Sequence, residues 1–108
     1  MSLSTHVLDT IHGRPATGVR IRLYSGALTI FDGVTDDDGR CPALKDLVLH
    51  KGAYRLEFSV AAYFRSKGVA LADPPFLDVV NIDFGMSDGH YHVPLLVSPF
   101  AYSTYRGS

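Results

Sequence analysis

An antiparallel β-sandwich with one short helix is the fold class this sequence predicts, and three observations lead to it. The run 19–24 sets Val19, Ile21 and Leu23 against Arg20, Arg22 and Tyr24, the two-residue period of a strand with one covered face. Turn signals recur about every ten residues, so the apolar runs between them are of strand length. Only the run 61–67 departs from this, with good helix formers, no alternation, late basic residues and Gly68 where a helix would stop. Seven or eight strands follow from the runs.

The first extended stretch covers residues 5–9 and ends in a turn at His12-Gly13-Arg14-Pro15. Ser25-Gly26 turns the strand 19–24 into a second one at 28–31, and Asp36-Asp37-Asp38-Gly39 is a tight acidic turn. Leu44, Leu47 and Leu49 predict a further strand ending near Lys51-Gly52, and residues 54–60 the next. After the helix, Asp73-Pro74-Pro75 is an extended linker, because proline neither continues a helix nor donates to a ladder. Residues 77–84 read as a strand, 85–89 as a loop, and the tail from His90 as two short strands around a turn.

Hydrophobic residues make up 46% of the 108 and charged residues 19%, with a net charge of −1, which argues for a packed core and against the basic field that nucleic acid requires. A single domain over residues 1–108 is expected, burying roughly two thirds of the surface of its unfolded chain. Met1 to His6 has neither the basic start nor the apolar run of a secretory signal, and no stretch approaches the ~20 apolar residues of a membrane span. A cytoplasmic protein without nucleic-acid or membrane partners is therefore expected. Cys41 is the only cysteine, so stability must come from packing or association.

The tail carries the candidate chemistry. Val93-Pro94-Leu95-Leu96-Val97 is apolar at consecutive positions, so both faces of that strand need cover, whereas a two-layer sandwich covers one. The second face, with His92, Pro94 and Leu96, is expected at a subunit interface or in a ligand cavity. His90 and His92 share a face and could ligate a metal with His6 as third ligand, but no HExxH motif or cysteine pair accompanies them, and no metal is expected. His90, beside Gly89, reads as a loop residue. His92 opens the doubly covered strand and suits a general base near neutrality. His6 faces away from Val7, and by itself reads as a structural histidine. Arg40 closes the acidic turn, where a cation offsetting three carboxylates is the plain reading, and the loop lacks the ligand spacing of a calcium hand. Cys41 has no nucleophile context, and Ser98 and Ser103 lack a Gly-x-Ser-x-Gly elbow. Tyr105, Arg106, Gly107 and Ser108 form an ending too specific to be slack.

Leu3-Ser4-Thr5-His6-Val7-Leu8-Asp9-Thr10, Gly13-Arg14-Pro15-Ala16, the Asp38-Gly39-Arg40 turn, the His90-Tyr91-His92-Val93-Pro94-Leu95-Leu96 strand and the Tyr102 to Ser108 ending together resemble the 5-hydroxyisourate hydrolases, transthyretin-related enzymes of urate breakdown. The resemblance spans about residues 3–108. The His-Tyr-His strand and the Tyr-Arg-Gly-Ser ending carry most of it. Val97 and Phe100-Ala101 depart mildly from the family pattern, away from the chemistry. The resemblance implies a transthyretin-like sandwich assembled as a homotetramer, a dimer of dimers, with sites at the dimer–dimer interface. It also implies hydrolysis of a ring amide of 5-hydroxyisourate without a cofactor. Within it His6 and His92 would position and deprotonate the attacking water, and Arg40 would bind substrate and stabilise the oxyanion. Tyr105, Arg106, Gly107 and Ser108 would shape the substrate pocket. The alternative is a carrier of a small aromatic ligand in a transthyretin-like channel.

Overall fold

The structure is a computed structural model and describes residues 1–107. Among these, ten strands occur in chain order: β1 (Ser2–Ser4), β2 (Val7–Asp9), β3 (Arg14–Pro15), β4 (Arg20–Ser25), β5 (Leu28–Val34), β6 (Gly52–Ser59), β7 (Val79–Met86), β8 (His90–His92), β9 (Leu95–Val97) and β10 (Tyr102–Thr104). A 3₁₀ turn spans Pro42–Asp46, and one α-helix, α1, spans Val60–Ser66. The strand total exceeds the expected seven or eight, although the strand expected at 44–49 is absent, because β1 is separate from β2 at Thr5 and His6, β8 from β9 at Val93 and Pro94, and Arg14–Pro15, expected as part of a turn, pairs with β2 as β3.

One layer is an antiparallel sheet in the order β5-β4-β6-β7. The other has the order β10-β9-β2-β3, with β1 and β8 paired beyond the interruption. β1 runs parallel to β8 and β2 parallel to β9, which makes this layer mixed where every other pair is antiparallel. Pro94 has no N–H to give at the break. The backbone stays satisfied there because Val93 donates to the Ser4 carbonyl at 2.9 Å, Leu95 to the His6 carbonyl at 2.9 Å, and the Thr5 hydroxyl to the Val93 carbonyl at 2.7 Å.

The alternation of the run 19–24 resolves as expected: Val19, Ile21 and Leu23 are buried, and Arg20 is exposed and clamps Asp32 through Nε and Nη2. Leu56 and Phe58 of β6, Val80 and Ile82 of β7, and Leu3, Val7, Leu95 and Val97 of the other layer meet in one core. Each such side chain, fully buried, contributes ~1.5–3 kcal/mol relative to exposure. Helix α1 closes one end with Val60, Tyr63 and Phe64 at helical spacing. Its stop is the expected Gly68, at φ +79°, whose N–H reaches the Arg65 carbonyl at 3.0 Å.

Two expectations are corrected. Residues 44–49 form no strand, since Pro42 opens a 3₁₀ turn and the three-residue spacing of Leu44 and Leu47 matches one face of it. The strand expected at 77–84 lies at Val79–Met86, because buried Met86 continues the period of Val80, Ile82 and Phe84. No helix among the described residues is long and apolar enough to cross a membrane.

Gly39 ties the acidic turn to the first strands. Its carbonyl accepts from Val7 N at 2.8 Å, its φ is +74°, and an added Cβ would lie 2.4 Å from the Val7 carbonyl oxygen. Gly39→Ala is therefore expected to lower the urea midpoint by the equivalent of at least about 1 kcal/mol, from left-handed strain alone. An unchanged midpoint in chemical denaturation would contradict this placement.

Candidate active site

The parallel register of β1 on β8 sets Ser2 beside His90, Leu3 beside Tyr91 and Ser4 beside His92. Leu3 and Tyr91 turn into the core, so by the two-residue period Ser2, Ser4, His90 and His92 share the opposite face. There they form a continuous chain of hydrogen bonds. Ser2 Oγ lies 2.5 Å from His90 Nδ1, Ser4 Oγ 2.9 Å from His90 Nε2, and the same Ser4 Oγ 2.8 Å from His92 Nδ1. His90 is thus a half-buried strand residue, not the loop residue expected from its neighbour Gly89.

His92 is held from a third side by the carboxy-terminal segment. Gly107 donates to the His92 carbonyl at 2.7 Å and bridges to it antiparallel. A Cβ at Gly107 would stand 2.8 Å from His92 Cδ2, so only glycine allows this approach to the ring. His92 Nε2 has no hydrogen-bond partner among the described residues. Burial, reinforced by the charges of Arg40, His6, His90 and Lys45, holds the His92 pKa below its ordinary 6.5. The imidazole is accordingly neutral near pH 7, with one nitrogen anchored by Ser4 and the other unengaged.

The remaining expected residues lie on both sides of this chain of hydrogen bonds, Arg40 beside Ser4 and the carboxy-terminal residues beside His90. His6 sits half-buried in the break between β1 and β2, its carbonyl holding Leu95. Arg40 follows Gly39, which is bonded to Val7, and its side chain is exposed and makes no ion pair among the described residues. Arg40 borders a small hollow of about 80 Å³ with Ser4, Thr5 and Lys45. Tyr105, Arg106 and Gly107 line an open cleft of about 580 Å³ together with His90. The Arg106 guanidinium stacks 4.1 Å from the centroid of Tyr91, whose hydroxyl oxygen accepts from Ser87 N at 3.0 Å. Ser108, the last of the expected site residues, lies outside the described residues. Another hollow, about 630 Å³, opens on the large sheet beside Arg55 and Asp83. Those two are paired with each other at 2.7 Å.

Cys41 is buried, and burial followed by the charge of Asp36 pushes its thiol up to about 11, so Arg40 does not activate it. Among the described residues no group of three or more His, Cys, Asp or Glu is placed to hold a metal ion.

Ser2, Ser4, Tyr91 and Asp9 are the structurally important polar partners that sequence reasoning did not single out as such. The carboxylate of Asp9 is buried and accepts from Tyr63 Oη at 2.7 Å, from His12 Nδ1 at 2.5 Å, and from the backbone N–H groups of Ile11 and His12. Burial alone would raise its pKa, but the hydrogen bonds from His12 and Tyr63 outweigh that and lower it. This cluster clamps the end of β2 to α1. The serines were recognisable only as period-two partners, and nothing local states which strand they face.

Comparison with known proteins identifies the family. The HIUase/Transthyretin family matches residues 3–107. A 5-hydroxyisourate hydrolase of Ralstonia nicotianae is 49% identical, the alignment covering 98% of this chain and 97% of that protein. The solved 5-hydroxyisourate hydrolase of Klebsiella pneumoniae superposes with a TM-score of 0.89 at 37% identity, over the whole of both chains. A solved (S)-allantoin synthase superposes with a TM-score of 0.92 at 42% identity; it matches 99% of this chain, which spans only 43% of that longer protein. With a family match over nearly the whole chain and a relative of nearly equal length at 49% identity, this chain belongs to the HIUase/Transthyretin family.

Proposed function

We propose that this chain is a 5-hydroxyisourate hydrolase, opening a ring amide of its substrate to give 2-oxo-4-hydroxy-4-carboxy-5-ureidoimidazoline in urate breakdown. The observation that carries the reading is His92: a neutral imidazole with Nδ1 tied to Ser4, Nε2 without a partner among the described residues, and the guanidinium charge of Arg40 acting on it. A planar, polar heterocycle with partial negative charge suits arginine, imidazole and tyrosine in a cleft of this kind. The relatives of equal length named as 5-hydroxyisourate hydrolases support the same substrate.

In this reading His92, with His6 beside it, positions a water molecule and takes its proton as the water attacks the ring carbonyl. Arg40 holds the substrate and stabilises the oxyanion of the tetrahedral intermediate, where one preorganised donor is worth roughly 3 kcal/mol. Proton return to the leaving ring nitrogen completes hydrolysis with no net change in the protein. Tyr105, Arg106 and Gly107 form the wall of the substrate cleft, and Ser108 completes that ending. The reading requires no cofactor. We further propose a cytoplasmic homotetramer, a dimer of dimers, built from a single domain over residues 1–108. The open edges of β7 and β10, and Phe76, Phe100 and Tyr102, which are 75%, 75% and 46% exposed, support association.

Three outcomes test the proposal, with substrate generated in place from urate by urate oxidase and its ultraviolet decay followed. His6→Ala, Arg40→Ala and His92→Ala are each expected to lower kcat/KM at least about tenfold with the oligomer intact, and full activity in any of them removes that residue from the mechanism. Because the His92 pKa is depressed, the base stays neutral as pH falls through 6.5, so the acid limb of kcat/KM is expected below 6.5. An acid limb centred above that value would contradict His92 as the base. Gly107→Ala, whose methyl would press on His92 Cδ2, is expected to lower kcat several-fold while thermal unfolding shifts little; wild-type kcat would show that the ring's placement does not matter.

A further inference from the structure

We infer that Ser4, His90 and Ser2 form a proton relay that acts through His92, allowing His92 to take a proton at Nε2 without becoming a cation. The inference rests on the hydrolase reading above and extends it to residues that act through His92. Its basis is geometric: four side chains on one face of β1 and β8 joined by contacts of 2.5, 2.9 and 2.8 Å, with both ring nitrogens of His90 engaged by serine hydroxyls.

Each serine hydroxyl has one proton to give and can accept another, and each neutral imidazole carries one proton on either nitrogen. The chain therefore has two self-consistent directions. In the first, His92 Nδ1–H donates to Ser4, Ser4 to His90 Nε2, and His90 Nδ1–H to Ser2, which leaves His92 Nε2 as an open acceptor. In the second every bond is reversed: Ser2 donates to His90 Nδ1, His90 Nε2–H to Ser4 and Ser4 to His92 Nδ1, and the His92 proton sits on Nε2. Passing from the first to the second moves one proton along each link.

The charges around His92 explain why a relay is needed there. Arg40, just before the 3₁₀ turn, and Lys45, within it, act on the protonated ring by charge, as do His6 in the break after β1 and His90 on β8 when protonated, and Arg106 flanks His90 in the open cleft. An imidazolium beside the guanidinium of Arg40 and the ammonium of Lys45 is costly in a half-buried site. Handing on the Nδ1 proton as Nε2 gains one keeps His92 neutral throughout.

The proton count closes. When water attacks, its proton goes to His92 Nε2, the Nδ1 proton goes to Ser4, the Ser4 proton to His90 Nε2, the His90 Nδ1 proton to Ser2, and the original Ser2 proton leaves to solvent. When the carbon–nitrogen bond of the ring breaks, the Nε2 proton passes to the leaving nitrogen, every link reverses, and Ser2 regains a proton from solvent. The relay ends as it began, ready for the next water.

Ser4 and His90 are thus positioning residues, and the test must separate proton transfer from packing. The full chain is assayed with 5-hydroxyisourate generated in place, comparing wild type, Ser4→Ala, Ser4→Thr and His90→Gln in mixtures of light and heavy water. The expected result is a loss in kcat of at least about tenfold in Ser4→Ala and His90→Gln, with KM within about twofold of wild type and recovery of kcat in Ser4→Thr. The plot of kcat against deuterium fraction is expected to be curved for wild type, as for several protons in flight, and straight for Ser4→Ala and His90→Gln. Wild-type kcat in both of these variants would overturn the relay, and so would a loss that leaves the curvature intact, which marks a structural role. A wild type that turns over no substrate would instead overturn the hydrolase reading on which the relay depends.

Discussion

Parallel pairing of the two ends of the chain is the constraint on which the rest of this structure depends. Ser2, Leu3 and Ser4 lie against His90, Tyr91 and His92, and Val7, Leu8 and Asp9 against Leu95, Leu96 and Val97. Contacts spanning nearly ninety residues are expensive in loop-closure entropy, which must be spent before they form. What offsets this is the burial of Leu3, Val7, Leu95 and Val97 in a core shared with the antiparallel sheet. The matched interruption at Thr5 and His6 and at Val93 and Pro94 lets each run change course without stranding a backbone donor, since Pro94 has none and Thr5 supplies a side-chain bond instead. The same break holds His6, half-buried, and directly follows His92 on the other run.

Placement then determines electrostatics. His92 is half-buried and has no carboxylate partner among the described residues; its protonated form is disfavoured by burial and by the charges of Arg40, His6, His90 and Lys45. Asp9 is the reverse case a few residues along β2: an ionised carboxylate fully inside the molecule, tolerated because four donors converge on it. The interrupted run of β1 and β2 thus leads from Ser4, beside an uncharged base, to Asp9, a buried anion that fixes the far end of β2.

The layer of β4 to β7 was the more legible half of the fold. Residues 19–24 alternate without interruption, and Gly68 marks the helix end, because both depend on local geometry. The run 44–49 misled because Leu44, Leu47 and Leu49 fit a strand about as well as a turn, and Pro42 decided between them. The parallel pairing of the ends left no local trace: period-two patterning shows which residues share a face, but not which strand lies opposite. For the same reason His6, Arg40 and His92 could be associated by family resemblance, whereas Ser4 and His90, whose importance lies only in the register between β1 and β8, required the structure.

The central claim is that water, activated beside His92, opens a ring amide, and labelled water tests it most directly. The protein at catalytic concentration is given freshly generated 5-hydroxyisourate in water enriched in oxygen-18, and the product is examined by mass spectrometry and carbon-13 NMR before the uncatalysed reaction contributes. The account predicts accelerated loss of substrate with one labelled oxygen in the new carboxylate of the ureidoimidazoline product. Loss of substrate no faster than in the protein-free control, or accelerated loss without label in that carboxylate, would contradict it.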